Sequence, residues 1–478
     1  MAYLSPLKPE FNFPKSSCRN SWILVLVVFS FPILKAQSSD DDAFFIKSIY
    51  NEALGKQISY PWLEYLSERI GGRIAGSPQS LAAVEFTSQV MDTVGTDTVW
   101  QQPCTVDYWY RGDSKEEAVV INHPLVGTRA LNCLALGGSG ASPPAGLSGN
   151  VIEVKSLDEA KKLGPLLKDQ IVFFNRPFDP SHVRTFHAYG GAVDQRVFGP
   201  NLVAKFGAKA CIIRSMTGRK DKVPHTGGTQ FEEGVKPIPA LAISTIDADL
   251  LSQWIAAGKT QMFVKTSCEQ RGKRKSYSVI GEIRGSEKPE EIILVGGHLD
   301  SWDVGGGAHD DGAGCVQSMQ VLHILKSLNY KPKRTIRCVL FQNEENGLAG
   351  GRTYAQVSNE NKEFHLAAIE SDAGGFTPLG FGFDADTSVL AKYAKNLAGW
   401  EDLLAPYHIR FEKGGGGADI GPLRGQKGML FGLMPDSQRY FDYHHTAQDR
   451  IDAVHPRELA LGAAAMASLV YLIDRHGL

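Results

Sequence analysis

At 478 residues the chain exceeds one ordinary domain, and at roughly 100–200 residues per domain it calls for two or three. Its 50 Lys and Arg against 52 Asp and Glu leave a formal net charge of −2, so no global field attracts a phosphate backbone and nucleic acid is not expected as a partner. Charged residues at 21% and apolar residues at 43% belong to a folded chain and exclude wholesale disorder.

Residues 22–34 form an apolar run preceded by Lys8, Lys15 and Arg19 and closed by the small Ala36. A spanning helix takes about 20 apolar residues. The run therefore reads as the core of a secretory leader over residues 1–36, the alternative being an uncleaved N-terminal anchor. Loss of the leader would remove Cys18 and leave Cys104, Cys133, Cys211, Cys268, Cys315 and Cys338. That even set permits disulfides without choosing a pairing.

Helical periodicity is expected over 41–55 and 79–94, joined by the turn-rich Arg73-Ile-Ala-Gly-Ser-Pro78, and a strand over 99–110. From 111 to 265, short β-branched runs alternate with Gly/Pro-rich loops, which marks a separate α+β module inserted between 37–110 and 266–478. After Ser276 the rhythm becomes strand–helix–strand. Strands are expected at 291–295, 334–341, 366–370 and 428–433. Helices are expected at 313–328, 347–357, 388–397 and 456–475. That alternation predicts an α/β fold with a mixed, mainly parallel sheet covered by helices on both faces.

Ligands of such sheets bind beyond the carboxyl ends of the strands. There the sequence places Gly296-Gly-His-Leu-Asp300 with Asp310-Asp311, then Asn343-Glu-Glu345, Ser371-Asp372 and Tyr443-His-His-Thr446. Singly these have ordinary readings: Asp311 as a helix cap, Glu344-Glu345 as acids in a first helical turn. Together they put His nitrogens and carboxylate oxygens at one sheet edge, a donor set suited to zinc or a similar divalent ion.

These motifs, in this order, resemble the co-catalytic di-zinc aminopeptidases and glutamate carboxypeptidases over about 280–450, and the 111–265 module resembles a protease-associated domain. The resemblance implies a zinc exopeptidase fold and two Zn2+ per chain. His298, Asp310, Glu345, Asp372 and His445 would be ligands, with Asp310 bridging. It makes a zinc-bridged hydroxide the nucleophile and Glu344 the general base and then acid. Asp311 would follow a cis peptide bond, and Asp300 would accept from the His298 ring. Tyr443 or His444 would hydrogen-bond the oxyanion. His444 and His445 are adjacent, and the Thr-x-x-Asp after them aligns His445 with the family's tail.

The implied activity is that of a secreted or lysosomal metallopeptidase on dipeptides and short peptides, as a homodimer and without a membrane span once the leader is gone. Two other readings stand beside it: a single-zinc glutaminyl-cyclase-like enzyme, and a non-catalytic receptor or binding protein on the same fold. Exopeptidase polarity stays open. Arg352, Arg410, Lys413 and Arg424 could hold a terminal carboxylate, but sequence does not place them. The glycine-rich stretch Lys413–Asp419 is either a plain turn or a substrate-contacting loop.

Overall fold

The central strands of the C-terminal half alternate between two buried faces, and this alternation sets the layering. Ile293 and Val295 pack with the helices Ala313–Ser327 and Pro456–His476, whereas Leu294 packs with Tyr354, Ile420 and Leu423 on the opposite face. A strand buried on both sides reads as a continuous apolar run, which is why this part was legible. The computed structural model describes residues 31–478, with side chains from Asp40 onward. The leader expected over 1–36 therefore lies almost wholly outside the described residues. Residues 42–478 form one compact unit.

The first strand is β1 (Thr98–Tyr110). A second sheet follows, built from β2 (Ala118–His123), β3 (Gly127–Leu131), β4 (Cys133–Ala135), β5 (Leu147–Val154), β6 (Ile171–Phe174), β7 (Ala210–Arg214), β8 (Ala240–Ile243) and β9 (Gln261–Lys265). The chain then returns through β10 (Glu269–Ile283), β11 (Lys288–His298), β12 (Arg334–Phe341), β13 (Phe364–Glu370), β14 (Pro378–Asp384), β15 (Arg410–Lys413) and β16 (Met429–Pro435). The first sheet runs β1-β10-β12-β11-β13-β16-β14-β15. Its centre, β12-β11-β13-β16, is parallel, and antiparallel pairings join β1, β10 and β14 to it.

The expected mixed, mainly parallel sheet is thus present, with three strands the sequence does not announce. β10 opens on the exposed, charged Glu269–Lys275 and reads as a loop until β1 pairs with it. β14 is interrupted by glycines, and β15 is a short charged edge. The second sheet shares a core with the first through Trp109 and Trp302. Helix Pro456–His476 is long and apolar enough to cross a membrane, but 78% of its apolar window is buried, as in a core helix. The six described cysteines are free thiols, and the disulfides their even number permits do not form among them.

Candidate metal centre

His298 ends β11, and the turn after it is shaped by side chains from far away in sequence. Arg73, buried beneath it, donates to the carbonyls of Leu299 (2.6 Å), Gly306 (2.7 Å) and Gly307 (3.0 Å). These bonds satisfy backbone that no sheet ladder serves. Asp449 accepts from the amides of His309 (2.7 Å) and Asp310 (3.1 Å). The Asp310–Asp311 peptide is cis. Asp311 accepts from the amides of His298 and Gly314, both at 3.0 Å. A Cβ on Gly314 would lie 1.9 Å from the Ser371 carbonyl oxygen, so the loops bearing Asp310 and Asp372 meet backbone to backbone.

Loops from three neighbouring strands and the 443–446 segment thereby converge on Asp310. His298 Nε2 lies 3.2 Å from Asp310 Oδ1 and 3.4 Å from Asp372 Oδ1. His445 Nε2 lies 3.1 Å from Asp310 Oδ2 and 3.1 Å from Glu345 Oε2. Asp310 is shared by both sets, and ligand-type atoms of His298, Asp310 and Glu345 all fall within 4.8 Å of one another. His444 stacks on His445 at 3.5 Å between ring centroids, and the one carboxylate it meets among the described residues is Asp310, at 3.7 Å.

The tautomers sharpen this picture. His298 Nδ1 is 2.9 Å from the Asp300 carbonyl, which can only accept, so Nδ1 carries the proton and a neutral Nε2 turns a lone pair toward two carboxylates. His445 Nδ1 faces the Thr226 carbonyl at 3.3 Å in the same sense. Buried lone pairs set against carboxylates repel unless a cation lies between them or the rings protonate. Burial opposes protonation, yet Asp372 and Asp310 carry His298 well above the usual imidazole range, and Glu345 and Asp310 carry His445 up to about 10. Burial, then Asp310, pushes Glu345 up to about 7. Burial raises Glu344 well above the carboxylate range against the pull of His298. Asp310 moves the other way: burial opposes ionisation, but hydrogen bonds from His298 and His445 hold it well below that range.

Asp300 accepts from the His298 ring through its main-chain carbonyl. Oδ1 of Asp300 instead accepts from the amides of Asn343 (2.6 Å) and Glu344 (3.1 Å), which sets the Glu344–Glu345 turn. Tyr443 stacks its ring on His309, 5.4 Å between centroids, and it is Tyr440 and His444 that line the cleft.

A cleft of about 880 Å³ has Asp310, Glu344, Glu345, Asp372 and His445 on its floor and Phe186, Tyr189 and Arg196 in its wall. Those wall residues belong to the 111–265 segment, where sequence reasoning found no site residue and nothing local signals one. A second cavity of about 620 Å³ shares Asp372 and Phe186 with the first and is lined by Arg410, Lys413 and the glycines after it. The glycine-rich loop is therefore a cavity wall, and Glu370 fixes it by accepting from the amides of Ala418 and Ile420, each at 2.9 Å. Arg352 stands exposed at the rim of the first cleft, and Arg424 pairs with Asp384 away from both.

Residues 278–470 match the model of peptidase family M28. The chain is 33% identical over 428 residues to carboxypeptidase Q of Bos taurus, covering 89% of this chain and 87% of the relative. It is 33% identical over 430 residues to carboxypeptidase Q of Homo sapiens, with the same coverage. The crystal structure of a peptidase M28 precursor from Shewanella amazonensis SB2B superposes with a TM-score of 0.84 at 32% identity, over 91% of this chain and 97% of that one. An aminopeptidase from Aneurinibacillus sp. strain AM-1 shares the fold, with a TM-score of 0.61 at 22% identity over 89% of this chain and 95% of that one. With relatives 33% identical over 89% of its length and the family model matched over 278–470, the chain belongs to peptidase family M28 and is a metallopeptidase.

Proposed function

We propose that the chain is a di-zinc exopeptidase of short peptides, acting in the secretory pathway or lysosome that its leader would address. The observation that carries this reading is Asp310, placed between two His–carboxylate sets. In each set a buried imidazole Nε2 faces buried carboxylate oxygens, and only a proton on the ring or a cation between them reconciles the two. Asp310 Oδ2 and Glu345 Oε1 are buried without a hydrogen bond of proper geometry. That is a donor set for cations. His298 and Asp372 would hold one zinc, His445 and Glu345 the other, and Asp310 both. Full retention of the second set favours two ions over a single-zinc cyclase and over a degenerate receptor.

Bound zinc would polarise the scissile carbonyl and lower the pKa of a water toward 7. The chain's own residues do the rest. Asp449 and Asp311 fix the backbone on either side of Asp310, and Asp300 holds the Glu344 amide so that the carboxylate reaches the cleft. Glu344 takes the proton of the attacking water and returns it to the leaving amine. Tyr440 and His444 line the cleft where the developing oxyanion forms and supply its donors. Metal analysis together with product analysis on a dipeptide tests the reading. About two zinc equivalents per active chain and release of free amino acids are expected. One equivalent or fewer in fully active protein overturns the di-zinc assignment.

A further inference from the structure

Thr226-Gly-Gly228, in the 111–265 module, runs against both residues placed above at one metal position, His445 and Glu345. The Thr226 amide donates to the His445 carbonyl at 2.9 Å, and the Thr226 carbonyl faces His445 Nδ1 at 3.3 Å. His445 has φ +62°, a left-handed backbone that a residue other than glycine keeps only where its surroundings enforce it. A Cβ on Gly227 would lie 2.7 Å from His445 Nδ1, and one on Gly228 3.2 Å from the Glu345 carbonyl oxygen. The segment therefore passes both residues at backbone distance.

It is tied in turn to its own module and to the turn after His298. Thr226 Oγ1 donates to the Ala135 carbonyl at 2.7 Å, and the Gly137 amide donates to the Gly227 carbonyl at 3.0 Å. Arg111 donates to the same Ala135 carbonyl and grips Asp303 at 2.6 and 2.8 Å. Trp302 sets its ring against Gly137, where a Cβ would lie 1.9 Å from it, and stands 5.7 Å from the His445 ring between centroids.

The other position is built differently. His298 donates from Nδ1 to the Asp300 carbonyl (2.9 Å) and from its amide to Asp311 (3.0 Å), and its carbonyl accepts from Cys315 Sγ (3.1 Å). Beside Asp372, Ser371 donates to the Gly296 carbonyl at 3.0 Å and to Gln317 at 2.8 Å. All these partners lie in the C-terminal half. The ring of His445 also has a competing neighbour, since Arg196 Nη1 stands 3.4 Å from its Nδ1 and can only donate. With the Thr226 carbonyl in place, Nδ1 keeps its proton and Nε2 offers a lone pair. With the carbonyl withdrawn, Arg196 donates to Nδ1, and the proton moves to Nε2, where it blocks a cation.

Resting on the di-zinc reading above, we propose that the 226–228 segment is a positioning element for one metal position only. It sets the tautomer and aim of His445 and confines Glu345, so that this position reaches full affinity only with the inserted module docked. The position of His298 and Asp372 is complete within the C-terminal half.

The test is equilibrium dialysis of the full chain against buffered free zinc, which separates two binding steps. Wild type should fill both positions. Gly227→Ala, whose methyl meets His445 Nδ1, should weaken one step by about 10–100-fold and leave the other within about twofold. His298→Ala combined with Gly227→Ala should show the weakened step alone. His445→Ala with Gly227→Ala should bind its remaining zinc as tightly as His445→Ala does. If Gly227→Ala gives no cooperative melt, Thr226→Val, which removes only the hydroxyl tie to Ala135, takes its place and should weaken the same step several-fold. Equal weakening of both steps, weakening confined to the His298 position, or two unchanged steps in the folded variant overturns the proposal while the di-zinc reading stands. A wild type that fills only one position refutes that reading, and the proposal with it.

Discussion

Two polar clusters in the catalytic sheet both set carboxylates and imidazoles in buried surroundings, and they differ in how far their groups are satisfied. Around Arg337, halfway along β12, the guanidinium meets Glu282 at 3.0 Å, Glu363 at 3.0 and 3.1 Å and the Tyr354 hydroxyl at 3.0 Å. Tyr354 in turn meets His365 Nε2 at 2.7 Å, and His365 Nδ1 meets Gln426 Oε1 at 2.9 Å. Every donor there faces an acceptor. Around Asp310, imidazole Nε2 atoms crowd against carboxylates, and carboxylate oxygens are left over. Burial of charge is common to both. Incomplete satisfaction is what separates the functional cluster from the structural one.

The largest effect that can break this contrast is catalytic. Glu344→Gln should lower kcat by about 10²–10⁴ while leaving zinc content at the wild-type level, as read by atomic absorption. Substantial turnover in that variant removes Glu344 as the base.

Stability separates the clusters next. Arg337→Met strands two carboxylates whose side chains are 16% and 25% exposed. The loss should be about 2–3 kcal/mol in urea melts, below the figure for fully buried pairs. Glu345→Gln in metal-free protein at pH 8 should melt no lower than metal-free wild type, because its charge is unwelcome without a cation, and should lose the zinc-induced gain. Equal destabilisation by both substitutions erases the distinction.

The clusters should also titrate in opposite directions. Burial depresses His365 to about 4 from an unfolded value near 6.5. Its stabilising contribution is present above pH 6.5 and is lost as pH falls through about 4, a change of about 3 kcal/mol. His445, raised to about 10, and Glu345, raised to about 7, behave oppositely in the metal-free protein. Their contribution is full below their unfolded values and is lost as pH rises through about 7 to 10. Melts across pH 5–9 with chelator and with zinc should therefore show a zinc-dependent gain that grows with pH. A gain that shrinks with pH contradicts the protonation states given to His445 and Glu345. The smallest expected effect is Tyr443→Phe, whose ring packs on His309: kcat/KM should change by no more than about twofold. A larger loss returns the hydroxyl to the site.

Much of the site was legible because strand ends that adjoin in a parallel sheet are also marked in sequence. An apolar run stops, and His298, Glu344, Glu345 or Asp372 follows it. Helix and strand positions in the catalytic half were readable from apolar periodicity, since both faces of β11, β12 and β13 are buried. β10 was not, because its charged first half becomes a strand only through pairing with β1. The sequence placed Asp300 beside the His298 ring, and the structure adds that the two-residue offset brings its carbonyl, not its carboxylate, to that ring.

The sequence by itself determined the donor set, the family resemblance and the order of the catalytic loops, because these depend on residue type and local periodicity. Only the tertiary structure decided how those donors face each other, that His445 meets both carboxylates while His444 meets one, and that Arg73 and Asp449 hold the turn. It also brought Arg196 and Thr226 from a distant module to the His445 ring. Such contacts arise from packing across 100 to 249 residues of chain, and no local pattern encodes them.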